Sequence, residues 1–311
     1  MTFALRVLLS TGIPLAMGGC HLPISKDMAT TNHPTPQSHT AWIEARETTL
    51  AAPDGWLTLV DLVWLQAGAV EIGTAPIASD DSITLAGAGA PTAGRFELDA
   101  EIVSFTPTHD GLASVNGRPL DADQTVALAD DREDAGPSIL RLGRLEITHI
   151  HRHDRAALRI KDPESPRRTN FRGVPRFDFD PDWILDATFK PASPDTTMPI
   201  RLVTDHLEEH PVAGTVTFEC EGGRHTLRVE PAGDGFFLVF GDDTNGTQTY
   251  GGGRFLSVPA PDAEGRTQLD FNRATTPPCG FTPYATCPTP PPGNRLPFDV
   301  PAGEQRPESF K

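Results

Sequence analysis

Apolar residues fall along most of this chain in short alternating or continuous runs, broken roughly every ten residues by Gly, Pro, Asp or Asn, the spacing of β-strands joined by tight turns. Between Val70 and Arg159 such runs are Val70–Gly73, Ser82–Leu85, Gly94–Leu98, Ile102–Phe105, Ala113–Val115 and Arg144–Thr148. Asn116-Gly117 between two of them predicts a tight turn, because both residues tolerate positive φ. A second series follows Trp183: Ile184–Phe189, Thr215–Phe218, His225–Val229, Phe236–Phe240 and Arg254–Val258. One helix is expected, from about Ser38 to Ala51, with Ser38 as N-cap, Trp42, Ile43, Arg46 and Leu50 at helical spacings, and Pro53-Asp54-Gly55 as its stop. The dense apolar stretch from Trp56 to Leu65 suits a buried element.

The pattern predicts a mainly β protein made of two packed β-sandwich-like regions with one amino-terminal helix. The first region is expected over 39–165 and the second, β-rich region over 166–311. Between them, Lys161 to Pro181 carries Arg167, Arg168, Arg172 and Arg176 beside Phe171, Phe177 and Phe179, and reads as a connection crossing the surface of both. The strand ending at Gly73, the apolar strand at Ile83 and Leu85, the Gly94-Arg95-Phe96 strand and the Asn116-Gly117 turn together resemble a forkhead-associated sandwich. That family binds phosphothreonine through an Arg and a Ser with a nearby His. The loop Thr74-Ala75-Pro76-Ile77 offers no such Arg, so the likeness implies a fold rather than phosphopeptide binding.

Composition agrees with the strand pattern: 31 Pro and 28 Gly among 311 residues leave little room for long helices. Residues 1–19 read as a secretion signal, with Arg6, an apolar stretch from Val7 to Met17 too short to span a bilayer, and Gly18-Gly19 before Cys20. Met17-Gly18-Gly19-Cys20 resembles the lipobox of bacterial lipoproteins. That resemblance implies acylation at Cys20, a membrane partner through the lipid, a place in the cell envelope on the periplasmic or outer-membrane face, and a flexible tether over 20–38. Removing the leader takes away Arg6 and no acid, so the formal charge moves from −16 to −17. A surface so acidic excludes nucleic acid as a natural partner, since its phosphates are bound by Lys and Arg.

With Cys20 assigned to lipid, Cys279 and Cys287 are the natural disulfide in an oxidising compartment, and the short loop contributes roughly 2.5 kcal/mol by chain entropy. Cys220 is then a buried free thiol. Unpaired thiols and a zinc site using Cys279 and Cys287 are the alternatives, although the spacing of the pair is too long for a zinc knuckle.

The most distinctive segments are Thr249-Tyr250, Gly252-Gly253-Arg254-Phe255, Asp270-Phe271-Asn272-Arg273-Ala274, Pro277-Pro278-Cys279, Cys287-Pro288 and Asn294-Arg295-Leu296. With Gly55–Leu59, these motifs resemble the uncharacterised bacterial family DUF1684 over about residues 40–305. The sequence departs from the family at Thr275-Thr276, where Tyr-Asn is usual. The resemblance implies no activity. On a strand, Asp270 and Asn272 share one face and Leu269, Phe271 and Arg273 the other. Asp270 is the candidate general base, and Tyr250, Arg254, Asn272, Arg273, Asn294 and Arg295 are the candidate ligand contacts, the arginines suited to clamping a carboxylate or phosphate. The same residues also suit a buried ion-pair network that braces the Pro-rich loop.

Two functional readings stand side by side: an envelope lipoprotein that binds a small polar or anionic ligand or a partner, and a hydrolase-like enzyme using Asp270 as base. No cofactor is expected, because the chain has neither a Gly-rich phosphate loop opening a helix nor a Gly-x-Ser-x-Gly elbow. No metal is expected either. His149, His151 and His153 alternate along a strand but sit among arginines, and His206 and His210 lack the zincin order. Gly251-Gly252-Gly253 between strands predicts a bulge or a close backbone approach.

Overall fold

Thr35 opens the first element. Its side chain accepts the Ser38 N–H at 3.2 Å while Ser38 Oγ accepts the Thr35 N–H at 2.9 Å, a reciprocal capping box ahead of the helix Pro36–Leu50. Ser38 is therefore the third helical residue and not the N-cap. Pro36, which has no N–H to leave unpaired, starts the helix earlier than the apolar spacing indicated. The tether expected to end at Ser38 consequently ends before the cap. The computed structural model describes residues 35–76, 82–152 and 154–307; the expected leader, Cys20, most of the tether, Ile77 and His153 lie outside them.

After the helix the chain builds two sheets that share one core. A six-stranded sheet runs in the order Leu59–Trp64, Arg155–Lys161, Leu145–Arg152, Ile139–Leu142, Ala113–Val115 and Arg118–Pro119. Against it packs a five-stranded sheet, Ser82–Thr84, Gly68–Gly73, Gly94–Asp99, Ile102–Pro107 and Val126–Leu128, whose first pair is parallel. Ile72, Phe96 and Phe105 from one face meet Leu140, Ile147, Leu158 and Ile160 from the other, the alternation that a β-sandwich requires. Asn116 and Gly117 take φ of 50° and 78° to turn between Ala113–Val115 and Arg118–Pro119.

The second region is a six-stranded antiparallel sheet in the order Arg254–Val258, Gly235–Phe240, Gly223–Ala232, Gly214–Cys220, Ile184–Pro191 and Arg266–Asp270. It curls until its two edge strands touch, and Phe271, Ala274, Leu296, Val300 and Ala302 from the carboxy-terminal coil fill the interior. The mainly β expectation thus holds in both regions. Cys220, at the end of its strand, is disulfide-bonded, which corrects the expected free thiol.

A hairpin of Thr197–Arg201 and Leu207–Pro211 stands apart from the main sheet. His206 and His210 therefore lie on or beside a strand, not on a helix. His210 ties the hairpin down: Nδ1 lies 2.8 Å from Glu230 of the main sheet and Nε2 lies 3.3 Å from Glu208. Glu230 chiefly, and then Glu208, raise the imidazole pKa against an opposing burial effect. A raised folded-state value means that this clamp stabilises fully below the unfolded value of about 6.5 and is lost as pH climbs through the folded value. Chemical denaturation at about pH 6 and about pH 9 should show wild type losing more stability over that span than His210→Gln; equal losses would remove the clamp from the account.

Candidate functional site

Arg254 and Asp242 are both fully buried, and their ion pair carries the first of the candidate residues. Nη2 of Arg254 donates to Asp242 Oδ2 at 2.8 Å and to the Val300 carbonyl at 2.9 Å, Nη1 donates to the Ala302 carbonyl, and the guanidinium lies 5.0 Å from the Phe240 ring centre. Asp242 in turn accepts from the Thr244 N–H and hydroxyl and, at 3.4 Å, from the Val300 N–H. Arg254 is therefore a sealed brace between its strand and the carboxy-terminal coil, and the ligand-clamp expectation is corrected. Gly253 makes that fit feasible. At φ 91° its missing Cβ would meet Pro290 Cγ at 2.5 Å and the Phe240 carbonyl at 2.8 Å, the close approach expected of the glycine run.

Asn294 is also spent on backbone. Its Oδ1 accepts the Arg228 N–H at 2.8 Å, and its Nδ2 donates to the Arg228 and Val239 carbonyls at 2.8 and 2.9 Å, so this buried amide sews the coil to the sheet with both of its donors spent. Arg295 lies on the surface, donating to the Asp242 carbonyl at 3.0 Å. Tyr250 is half-buried, packed where a Cβ on Gly252 would approach its ring to 2.5 Å and one on Gly280 to 3.3 Å, and burial pushes its phenol pKa up. No contact joins it to Asp270 among the described residues. Cys279 and Cys287 are disulfide-bonded beside Leu59 and Ala285.

Asp270, Asn272 and Arg273 do gather at one place, by a route the alternation did not foresee. The strand stops at Asp270, and Phe271–Arg273 form a 3₁₀ turn. Asp270 caps it, Oδ1 accepting Asn272 N–H and Nδ2–H at 3.2 and 3.1 Å, and Oδ2 lies 3.2 Å from Arg273 Nε. Asn272 also donates to the Asp180 carbonyl and accepts the Asp180 N–H, both at 2.9 Å. Phe271 swings into the core, which the strict strand period had placed with Arg273.

Over this corner lies the amino-terminal helix. Trp42 holds two guanidinium groups against its ring, Arg176 at 5.4 Å and Arg273 at 5.9 Å. His39 stacks on Trp42 at 5.7 Å and meets Phe179 at 5.1 Å. Burial lowers the His39 pKa, Asp270 opposes, and Arg176 and Arg273 lower it further, so the imidazole is neutral at neutral pH. Below Arg176, the fully buried Glu304 accepts from Arg176 Nη2 at 3.2 Å, from Arg46 Nε at 3.1 Å and from the Thr276 N–H at 2.6 Å.

The hydrogen-bond account of this corner is incomplete. Among the described residues, Arg176 Nε and Nη1 and His39 Nδ1 are buried without a partner, and Arg273 Nε and Asp270 Oδ2, although within ion-pair distance, are not aligned for a bond. Buried donors are rarely left so. His39, Trp42, Arg46, Asp242 and Glu304 carried no site signal in the sequence; Arg176 was visible only as one member of the basic and aromatic connection.

Arg254→Met should unfold the protein far more easily than wild type, by about 3–5 kcal/mol, because Asp242 would be left as a buried unpaired charge. Urea denaturation measures this, and a loss below about 1 kcal/mol would show that the brace is dispensable.

No curated protein matches the chain. Among solved structures, the uncharacterized protein from gene locus rrnAC0354 of Haloarcula marismortui, determined by solution NMR, shares 32% identity in an alignment covering 46% of this chain and 80% of that one, with a TM-score of 0.37. Residues 169–305, which hold Arg176, Arg254, Asp270, Arg273 and Glu304, match the model of a family described as protein of unknown function, DUF1684, and that part of the chain belongs to the family.

Proposed function

We propose that this protein is an exported cell-envelope protein that binds a small anion, of the carboxylate or phosphate class, in the corner formed by His39, Trp42, Arg176 and Arg273. The observation that carries the reading is the Arg176 guanidinium, withdrawn from water with Nε and Nη1 lacking any acceptor among the described residues. A guanidinium fork is suited to the paired oxygens of such an anion. Trp42 and Phe179 supply an apolar wall, and neutral His39 supplies either a donor or an acceptor. The envelope half is supported by the leader and by the disulfides at Cys220 and between Cys279 and Cys287, bonds that persist in oxidising compartments.

Hydrolysis with Asp270 as general base has less support. Among the described residues that carboxylate is hydrogen-bonded only to Asn272, through Oδ1, while Oδ2 lies 3.2 Å from Arg273 Nε, and no nucleophile or second proton carrier is bonded to it.

Thermal unfolding of the full chain with inorganic phosphate and with citrate tests the binding reading. A melting temperature that rises saturably in wild type and rises much less in Arg273→Gln supports it; an anion at a hundredfold excess over its Kd stabilises by about 2.7 kcal/mol. No rise with either anion, or an equal rise in Arg273→Gln, overturns it. For export, mass spectrometry of the envelope-derived chain should find the leader removed. An intact leader rules export to the envelope out.

A further inference from the structure

A second unpaired guanidinium lies in the first region, away from the corner just described. Along Arg155–Lys161, Leu158 and Ile160 enter the sandwich core, so the strand period turns Arg155, Ala157 and Arg159 to the opposite face. The register sets Leu62 and Thr148 on either side of Arg159. Between these neighbours its Nε is buried and has no hydrogen-bond partner among the described residues. Burial pushes the Arg159 pKa down and Arg152 adds to the effect, with only Asp131 opposing.

Asp131 is already taken. Its Oδ2 lies 2.6 Å from Arg152 Nη1 and its Oδ1 accepts the His151 N–H at 2.8 Å. Arg159 thus has no carboxylate within ion-pair distance among the described residues, an expensive state for a desolvated charge. What it does have is an indole: the guanidinium carbon lies 5.6 Å from the Trp56 ring centre, and Trp56 is 37% exposed, one of the few large apolar side chains left open to solvent. The neighbouring wall repeats the chemistry, with Arg155 at 4.3 Å over Trp64.

We propose that Arg159 and Trp56 form a second ligand subsite that takes a small aromatic carboxylic acid, the carboxylate on the guanidinium and the ring on the exposed indole. The carboxylate supplies the acceptor that Arg159 Nε lacks, by a charge-assisted bond. The flat ring covers apolar surface that water now wets, and aromatic pairs favour such contact beyond the area they bury. An aliphatic acid satisfies the first requirement and not the second. This subsite does not depend on the anion corner under the helix, and either can fail alone.

The test is titration of the full chain with sodium benzoate, followed by the Arg159 Nε–H cross-peak in ¹⁵N NMR and by tryptophan fluorescence, with sodium acetate as the ring-free control. A saturable shift of that cross-peak is expected, about tenfold weaker affinity in Trp56→Leu and for acetate, and loss of the fluorescence response in Arg159→Gln. Trp56→Leu changes a partly exposed side chain to another apolar one, so it keeps the test valid if Arg159→Gln folds poorly. The proposal is overturned by the absence of a saturable shift, by unchanged affinity in Trp56→Leu, by equal affinity for acetate, or by a response that survives in Arg159→Gln and vanishes in Arg273→Gln.

Discussion

The Glu304 carboxylate is the knot on which the arrangement of the candidate corner depends. Three pieces of chain far apart in sequence meet on its two oxygens: Arg46 from the amino-terminal helix, Arg176 from the connection between the regions, and the Thr276 N–H from the Pro-rich segment. Withdrawing one carboxylate fully from water costs several kcal/mol, which only multiple charged donors in good geometry offset. The helix itself contributes little apolar burial, with only His39 and Leu50 fully inside. It is held instead by Arg46 on Glu304, by Glu47 accepting the Val174 N–H at 3.0 Å, and by Leu50 in a small cluster with Leu57, Val174 and Phe281. A helix fastened by polar contacts is a natural cover for a polar site.

That knot also explains why the family motifs say less about a ligand than their specificity suggests. Arg254 and Asn294 stand in distinctive sequence segments, yet one is locked to Asp242 and two carbonyls and the other is saturated by backbone. Both hold the long carboxy-terminal coil against the curled sheet. Coil without a ladder must find partners for its backbone groups elsewhere, and side chains such as these supply them. A motif built around Pro, Gly and Cys therefore marks, first of all, a place where regular hydrogen bonding has run out.

The strands were legible because their turns were. Asn116-Gly117 and the Gly, Asp and Pro breaks bounded most of the runs, and the mainly β architecture followed. Less visible were the strands rich in charge, such as Arg155–Lys161 and Arg266–Asp270, and the hairpin at Thr197–Pro211, whose apolar faces are thin and whose pairing is decided by tertiary contacts. The strand period put Asp270 with Asn272 and turned Arg273 to the other face; because the strand stops at Asp270 and a 3₁₀ turn follows, Arg273 meets Asp270 instead. Arg176, His39 and Glu304 become neighbours only through the docking of the helix and the coil, and no spacing along the chain encodes that.

Charge sorts the molecule in one further way. The chain carries 42 acidic residues against 26 Lys and Arg, so its surface repels anions at long range and screens that repulsion only over about 8 Å at physiological salt. Guanidinium nitrogens that lack acceptors, on Arg176 and Arg159, have instead been drawn inward beside Trp42 and Trp56. An indole face partly compensates a cation without neutralising it, so the positive field survives at Arg159, whereas at Arg176 it is offset by Glu304. On the proposed reading, an anion reaching either place has to pass this acidic exterior, which favours small ligands at appreciable concentration over polyanions.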